Sequence, residues 1–180
     1  SGSVEGAVFN DTVAATSGGT AVNVTMLGVD VAALTFNADG ILGMTPATLG
    51  PEQLFVTQLF EGGVISENSF GVNYREILLT STILLGGWDN TIVAKESLFR
   101  YVGIKDTDYW SLPIGDIKYG NVSLKIEAAR GILDTGTSLT YFSVEDFALL
   151  YAKLSDGKTC GTGISVGYYA CYCNTEADFE

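Results

Sequence analysis

The sequence predicts a mainly β chain with short helices, arranged in two parts, and three observations carry that prediction. Twenty-two Gly with nine Tyr and nine Phe favour strands and turns over helices. Hydrophobic residues make up 47% of the chain and charged ones 17%, so there is enough apolar surface to offset the entropy of ordering, and the chain is globular. A β-rich run leading to a Gly-containing loop and then a helix occurs once in each half. The junction falls at Gly86-Gly87-Trp88-Asp89-Asn90, dividing residues 1–88 from 89–180.

Val4 to Phe36 reads as a β-meander of short runs broken by Gly, such as Gly6-Ala7-Val8-Phe9 and Ala21-Val22-Asn23-Val24-Thr25-Met26, with Ser17-Gly18-Gly19 as a hairpin turn. Ile41-Leu42-Gly43 is a short apolar run whose Gly lets other backbone pass close by. A helix follows, with Pro51 in its first turn, Phe55, Val56, Leu59 and Phe60 as its apolar stripe, and Gly62-Gly63 as its stop. Strands resume at Ile77-Leu78-Leu79 and Ile83-Leu84-Leu85. In the second half they recur at Tyr109-Trp110-Ser111-Leu112, Asp116 to Gly120 and Val122 to Ile126. A second helix opens with Ser143 as N-cap and Asp146 three residues on, a capping-box arrangement ahead of Phe147, Leu150, Tyr151 and Leu154.

Composition narrows the chemistry. Nine Lys+Arg against twenty-one Asp+Glu give a net charge of −12, which leaves too few cations to bind a phosphate backbone and excludes nucleic acid as a partner. The absence of His removes the commonest metal ligand and every Ser-His or Cys-His nucleophile, leaving Asp and Glu as the general acid–base groups. No apolar stretch approaches the roughly 20 residues that span a bilayer. The chain starts at Ser1 without Met or an apolar leader and stops just after a Cys-rich stretch, so both ends read as cuts within a larger protein. Three Asn-x-Ser/Thr acceptors, at Asn10, Asn23 and Asn121, favour a secretory, oxidising route. With three Cys, one thiol lacks an internal partner if the protein is oxidised. Cys160 and Cys171 bracket a Gly-rich, hairpin-like loop and can pair with each other, with Cys173 left for a partner beyond Glu180; three reduced thiols are the alternative.

The most informative stretch is Ala129 to Thr140, where an apolar strand runs straight into Asp134-Thr135-Gly136. That order places a carboxylate at a strand end, where a cleft can form. Gly136 lets backbone N–H groups approach the carboxylate, and the hydroxyls of Thr135, Thr137 and Ser138 can hydrogen-bond around it.

Ile132-Leu133-Asp134-Thr135-Gly136-Thr137-Ser138-Leu139 resembles the catalytic loop in the C-terminal lobe of the pepsin-like (eukaryotic) aspartic endopeptidases. The resemblance runs in order along essentially the whole chain. Ser1-Gly2-Ser3, with Gly6 and Asp11-Thr12-Val13 after it, is similar to the flap hairpin that closes over substrate and the strand that follows. Phe36 to Met44 resembles the Asp-Gly-Ile-Leu-Gly segment that supports the N-lobe catalytic loop. Phe70-Gly71-Val72 and Leu84 to Asp89 resemble the corner before the lobe crossover. Tyr109-Trp110 takes the place of the family's Tyr-Trp strand, and Cys171 or Cys173 that of a C-lobe disulfide cysteine.

The resemblance implies a bilobal, mainly β fold of which the chain holds part: residues 1–88 as the later portion of the N-terminal lobe from the flap, and 89–180 as the first portion of the C-terminal lobe. It implies peptide-bond hydrolysis at acidic pH by a water held between two Asp, with no cofactor, no metal and no covalent intermediate. Asp134 is the catalytic residue that carries over, and Thr135 supports its loop. Ser1, Gly2, Ser3, Ile41, Tyr109, Gly136, Thr137 and Ser138 are the implied substrate-binding positions. Asp39 and Asp89 read as turn-fixing carboxylates. No second catalytic loop is present: Asp11-Thr12-Val13 and Asp106-Thr107-Asp108 lack the Gly, while Asp39-Gly40 and Asp156-Gly157 lack the Thr. The partner Asp and the flap Tyr are therefore expected upstream of Ser1, and this chain alone is expected to be inactive. The implied partners are a protein or peptide substrate and an inhibitory prosegment in a monomeric precursor. The implied location is a lysosome-like, vacuolar or secreted setting. Two rivals stand beside this reading. One is a non-catalytic binding or inhibitor protein on the same fold with a broken dyad. The other is a retroviral-type protease, disfavoured because such subunits are shorter and carry their loop near the N-terminus.

Overall fold

The computed structural model describes residues 3–14, 19–33, 39–47, 54–74, 81–92, 99–104, 108–162 and 169–172. The expectations for Ser17, Pro51 and Ile77-Leu78-Leu79 lie outside these residues. Two compact units emerge: Ser1–Val102 with Thr107–Tyr109, and Gly103–Asp106 with Trp110–Glu180.

In the first unit, β1 (Ser3–Ala14) and β2 (Ala21–Ala33) form one long antiparallel hairpin, from Ser3 opposite Ala33 to Ala14 opposite Ala21. The expected short runs are thus continuous strands, because Gly6 and Gly28 lie inside the ladder without ending it. Gly6 sits where the register shifts: Glu5 faces Val31 but Gly6 faces Val29, so Asp30 bulges from β2. A Cβ on Gly6 would lie 1.9 Å from the carbonyl oxygen of Gly28, so close approach explains this glycine.

Strand alternation turns Val22 and Val24 to one face, where they are 9% and 5% exposed and pack against Leu59, which is fully buried. Leu59 belongs to α1 (Phe55–Glu61), whose N-cap Leu54 is extended and provides no side-chain cap. Of the expected stripe, Val56 and Leu59 are buried, but Phe60 is 43% exposed. One position past Leu59 the helix has turned by about 100°, which carries Phe60 to the edge of the packed face. Gln58 takes an inward place instead, and its Oε1 accepts from the Thr25 N–H at 3.3 Å, which satisfies the buried amide oxygen. Gly62 and Gly63 end the helix as expected. The Gly63 φ is +69°, and the Val64 N–H donates to the Leu59 carbonyl at 2.9 Å.

β3 (Phe70–Asn73) pairs antiparallel with β4 (Thr82–Leu85). Beyond β4, Oδ1 of Asp89 accepts from the N–H and the hydroxyl of Thr91, at 2.8 and 2.6 Å, and so fixes the 3-10 turn Asn90–Ile92. Ile41 and Leu42 lie in no strand and are 68% and 57% exposed.

The second unit holds β5 (Ser111–Pro113), β6 (Lys118–Tyr119), β7 (Val122–Ser123) and β8 (Arg130–Ile132), with β5 paired to β8 and β6 to β7. β6 and β7 are shorter than the sequence suggests. Lys125 has a φ of 55°, in the left-handed region, which breaks the extended run expected to continue to Ile126. The helix α2 (Val144–Leu154) follows. Next come β9 (Cys160–Thr162) and β10 (Tyr169–Cys171), an antiparallel pair closed by a Cys160–Cys171 disulfide, as the loop pattern allows. Tyr169 of β10 meets Phe147 and Tyr151 of α2 at ring distances of 5.2 and 4.9 Å, docking the hairpin on the helix. No helix among the described residues is long and apolar enough to cross a membrane.

Candidate active site

Asp134 stands two residues beyond β8. The strand reaches it on a continuous hydrogen-bonded track: the Ile114 N–H donates to the Ala129 carbonyl at 3.0 Å, β8 pairs with β5, and the Leu133 N–H donates to the Trp110 carbonyl at 3.0 Å. The chain then turns. The Thr137 N–H closes the turn on the Asp134 carbonyl at 3.2 Å.

Inside this turn both carboxylate oxygens of Asp134 are held. Oδ1 accepts from the Gly136 N–H at 2.8 Å, and Oδ2 accepts from the Thr137 hydroxyl at 2.5 Å. A Cβ on Gly136 would sit 3.2 Å from Oδ1, so the absence of a side chain there gives the N–H its approach. Of the three hydroxyls that the sequence places nearby, Thr137 alone reaches the carboxylate. Thr135 occupies the corner of the turn and Ser138 lies beyond it; neither side chain hydrogen-bonds among the described residues. Residues 133–141 are exposed, so the carboxylate is open to solvent. The Thr137 hydroxyl, and after it the Gly136 N–H, hold the Asp134 carboxyl below the usual carboxylate range against a small opposing effect of burial.

The remaining positions divide between the units. Ser3, paired with Ala33 at the end of β1, Ile41, and Tyr109, 47% exposed, belong to the first unit; Asp134 to Ser138 belong to the second. Ser1 and Gly2 lie outside the described residues, as does Cys173. Among the described residues, no three His, Cys, Asp or Glu side chains cluster as a metal site.

One residue has a different role from the sequence expectation. Asp146 was to complete a capping box with Ser143, and half of that box forms: the Asp146 N–H donates to the Ser143 Oγ at 3.1 Å. The reciprocal arm does not. The Asp146 carboxylate, in a residue only 2% exposed, accepts instead from the Glu127 N–H at 2.6 Å and the Ala128 N–H at 3.0 Å, in the chain just ahead of β8. An Asp three residues after a Ser is the signature of an N-cap, and nothing local in the sequence signals this distant pair of donors.

An open carboxylate at a strand end, cradled by the Gly and Thr of Asp-Thr-Gly-Thr, sits in a chain that matches the profile of eukaryotic aspartyl proteases over residues 1–180. The chain belongs to the eukaryotic aspartyl protease family. Its strand-rich architecture with few helices is that of part of the family's pepsin-like fold. It is 26% identical over 151 residues to a protein of Trichophyton verrucosum named "Probable aspartic-type endopeptidase CTSD", a match covering 82% of this chain and 28% of that protein. It is 27% identical over 182 residues to an aspartic protease of Phaffia rhodozyma, covering 96% of this chain and 43% of that one. Renin-2 of Mus musculus is 30% identical over 122 residues, 64% of this chain and 30% of renin-2. The chain therefore spans less than half the length of each of these relatives.

Proposed function

We propose that this chain is the central portion of an aspartic endopeptidase, the flap side of one lobe up to residue 88 and the start of the other from residue 89, with Asp134 as one of two catalytic carboxylates. The observation that carries the reading is the double hold on Asp134 by Gly136 and Thr137 within an Asp-Thr-Gly-Thr turn that is open to solvent. These 180 residues contain a single Asp-Thr-Gly, so the second carboxylate comes from outside them.

Two carboxylates a few ångströms apart cannot both ionise, so they share one proton and hold a water between them. One takes a proton from the water as it attacks the peptide carbonyl while the other donates to the carbonyl oxygen, a contribution of roughly 10²–10⁴-fold. Alone, Asp134 ionises readily because two donors favour its charged form. Beside a second carboxylate the proton affinities belong to the pair, so the Thr137 and Gly136 bonds favour the charged form of the pair without assigning the shared proton to either residue. Thr135 supports the turn. Ser1, Gly2 and Ser3 on the flap, with Ile41, Tyr109, Gly136, Thr137 and Ser138, contact the peptide. No cofactor takes part in this chemistry.

The substrate is a peptide or protein. The precursor carries an inhibitory prosegment, acts as a monomer, and works in an acidic secretory, vacuolar or lysosome-like compartment or outside the cell. The Cys160–Cys171 disulfide and the three Asn-x-Ser/Thr acceptors support the oxidising route. The test is Asp134→Asn in the full-length gene product, assayed on a quenched-fluorescent peptide library at pH 3–6. Loss of at least about 10³-fold in kcat is expected. Equal activity of the variant, or no activity of the unaltered protein, overturns the reading, and the latter moves it to a binding protein with a broken dyad.

A further inference from the structure

We propose that Asp146 is a positioning residue for Asp134, closing the segment 127–146 on itself so that the Asp-Thr-Gly turn is held from both flanks. The consequence for turnover rests on the reading of Asp134 as catalytic; the geometry does not.

A carboxylate 2% exposed is expensive to bury unless its oxygens are matched by donors. Here backbone donors make the match: Oδ1 takes the Glu127 N–H and Oδ2 the Ala128 N–H, while the Asp146 N–H is anchored on Ser143. The placement in the first turn of the eleven-residue α2 also suits a negative group, because the unpaired N–H groups of a helix start favour it. The carboxylate therefore joins two stretches of chain that flank Asp134 on opposite sides. On the entering side the clasp leads at once into the bonds from Ile114 to Ala129, the β5–β8 ladder and the bond from Leu133 to Trp110. On the leaving side, residues 138–143 form no helix or strand, so the start of α2 is the first fixed point after the turn. Without the clasp, the hydrogen bonds that hold the leaving side of the turn, among the described residues, are those from Thr137 to Asp134. Small misplacements of a reacting group are costly, on the order of 10²-fold for about 1 Å.

The test uses the full-length gene product with Asp146→Asn, which keeps the side-chain size but offers one acceptor where two are needed. Hydrogen–deuterium exchange read by mass spectrometry is expected to quicken about tenfold not only at 127–128 but also across 134–140. In the same variant, kcat is expected to fall about 10- to 100-fold with KM within about twofold. Faster exchange confined to 127–128 and the first turn of α2, with 134–140 unchanged, overturns the proposal, as does a KM change with kcat intact. Should Asp146→Asn not fold, Ser143→Ala loosens only the anchor of the Asp146 N–H and is expected to give the same pattern at smaller amplitude; an unchanged 134–140 there is equally decisive against it. Exchange across 134–140 is independent of turnover, so an Asp134→Asn variant with unchanged kcat would sink the catalytic reading and leave this one standing.

Discussion

The hydroxyl of Thr137 donates to Oδ2 of Asp134 across 2.5 Å, on the oxygen that the Gly136 N–H leaves free. This contact is the larger cause of the lowered Asp134 affinity for a proton. Thr137→Val keeps the shape and removes the donor. Its expected effect is to move the Asp134 titration up toward 3.8, the ordinary value, as read by carbon-13 NMR of labelled Asp carboxyls. An unmoved midpoint would show that the hydroxyl bond is not formed in solution.

The same bonds give a pH dependence of stability. A carboxyl whose folded-state affinity is depressed stabilises the fold above its unfolded value and loses that contribution as pH falls through the folded one. For Asp134 the contribution is present above about pH 4 and fades below it. Asp134→Asn should therefore lower the urea midpoint slightly at pH 6 and by less at pH 2. The difference is small because the group is exposed to solvent. A larger deficit at pH 2 than at pH 6 would contradict the lowered value.

Gly6→Ala places a Cβ 1.9 Å from a backbone oxygen on the facing strand, which no rotamer can relieve. A loss of about 3 kcal/mol is expected in urea unfolding. Gly40→Ala, with nothing within 4 Å of its Cβ, is the control and should lie within about 0.5 kcal/mol of the parent.

Leu59 is the fully buried centre of the contact between α1 and β2. Leu59→Ala should cost about 2–5 kcal/mol, whereas Phe60→Ala, one residue on and half outside the packed face, should cost less than about 1 kcal/mol. Equal costs would mean that α1 is rotated from the orientation described.

Joining residues eleven apart, the Cys160–Cys171 bond restricts the unfolded chain by about 3 kcal/mol in the loop-entropy account. Replacing both Cys by Ser should lower the thermal midpoint, and added reductant should then have no further effect. A further drop with reductant would implicate a different pairing.

Much of this architecture is legible in the residues. Alternation marks Val22 and Val24 as one face of a strand, Gly62-Gly63 marks a helix end, and the Gly-rich stretch between Cys160 and Cys171 marks a hairpin. The Asp-Thr-Gly turn is readable because its bonds are local, two and three residues from Asp134. What the sequence hides depends on distant neighbours. The bulge at Asp30 puts Val29 and Val31 on opposite faces, although a period of two assigns them to the same one. The left-handed Lys125 ends β7 without a Gly to announce it. Asp146 carries the spacing of a capping box, yet its carboxylate serves donors 18 and 19 residues back in the chain.

That last closure also bears on how far this segment can be edited. Because Ala128 and Asp146 are tied directly, the ends of the intervening chain stay at a fixed separation whatever lies between them. Added residues at 139–141, exposed and outside any helix or strand, would enlarge a ring that is already closed. Even doubling such a ring raises the entropy of closure by only about 0.6 kcal/mol. Insertions there are a place where relatives and engineered variants can differ in length, and so reshape the rim beside Asp134, while the tie between Ala128 and Asp146 stays closed.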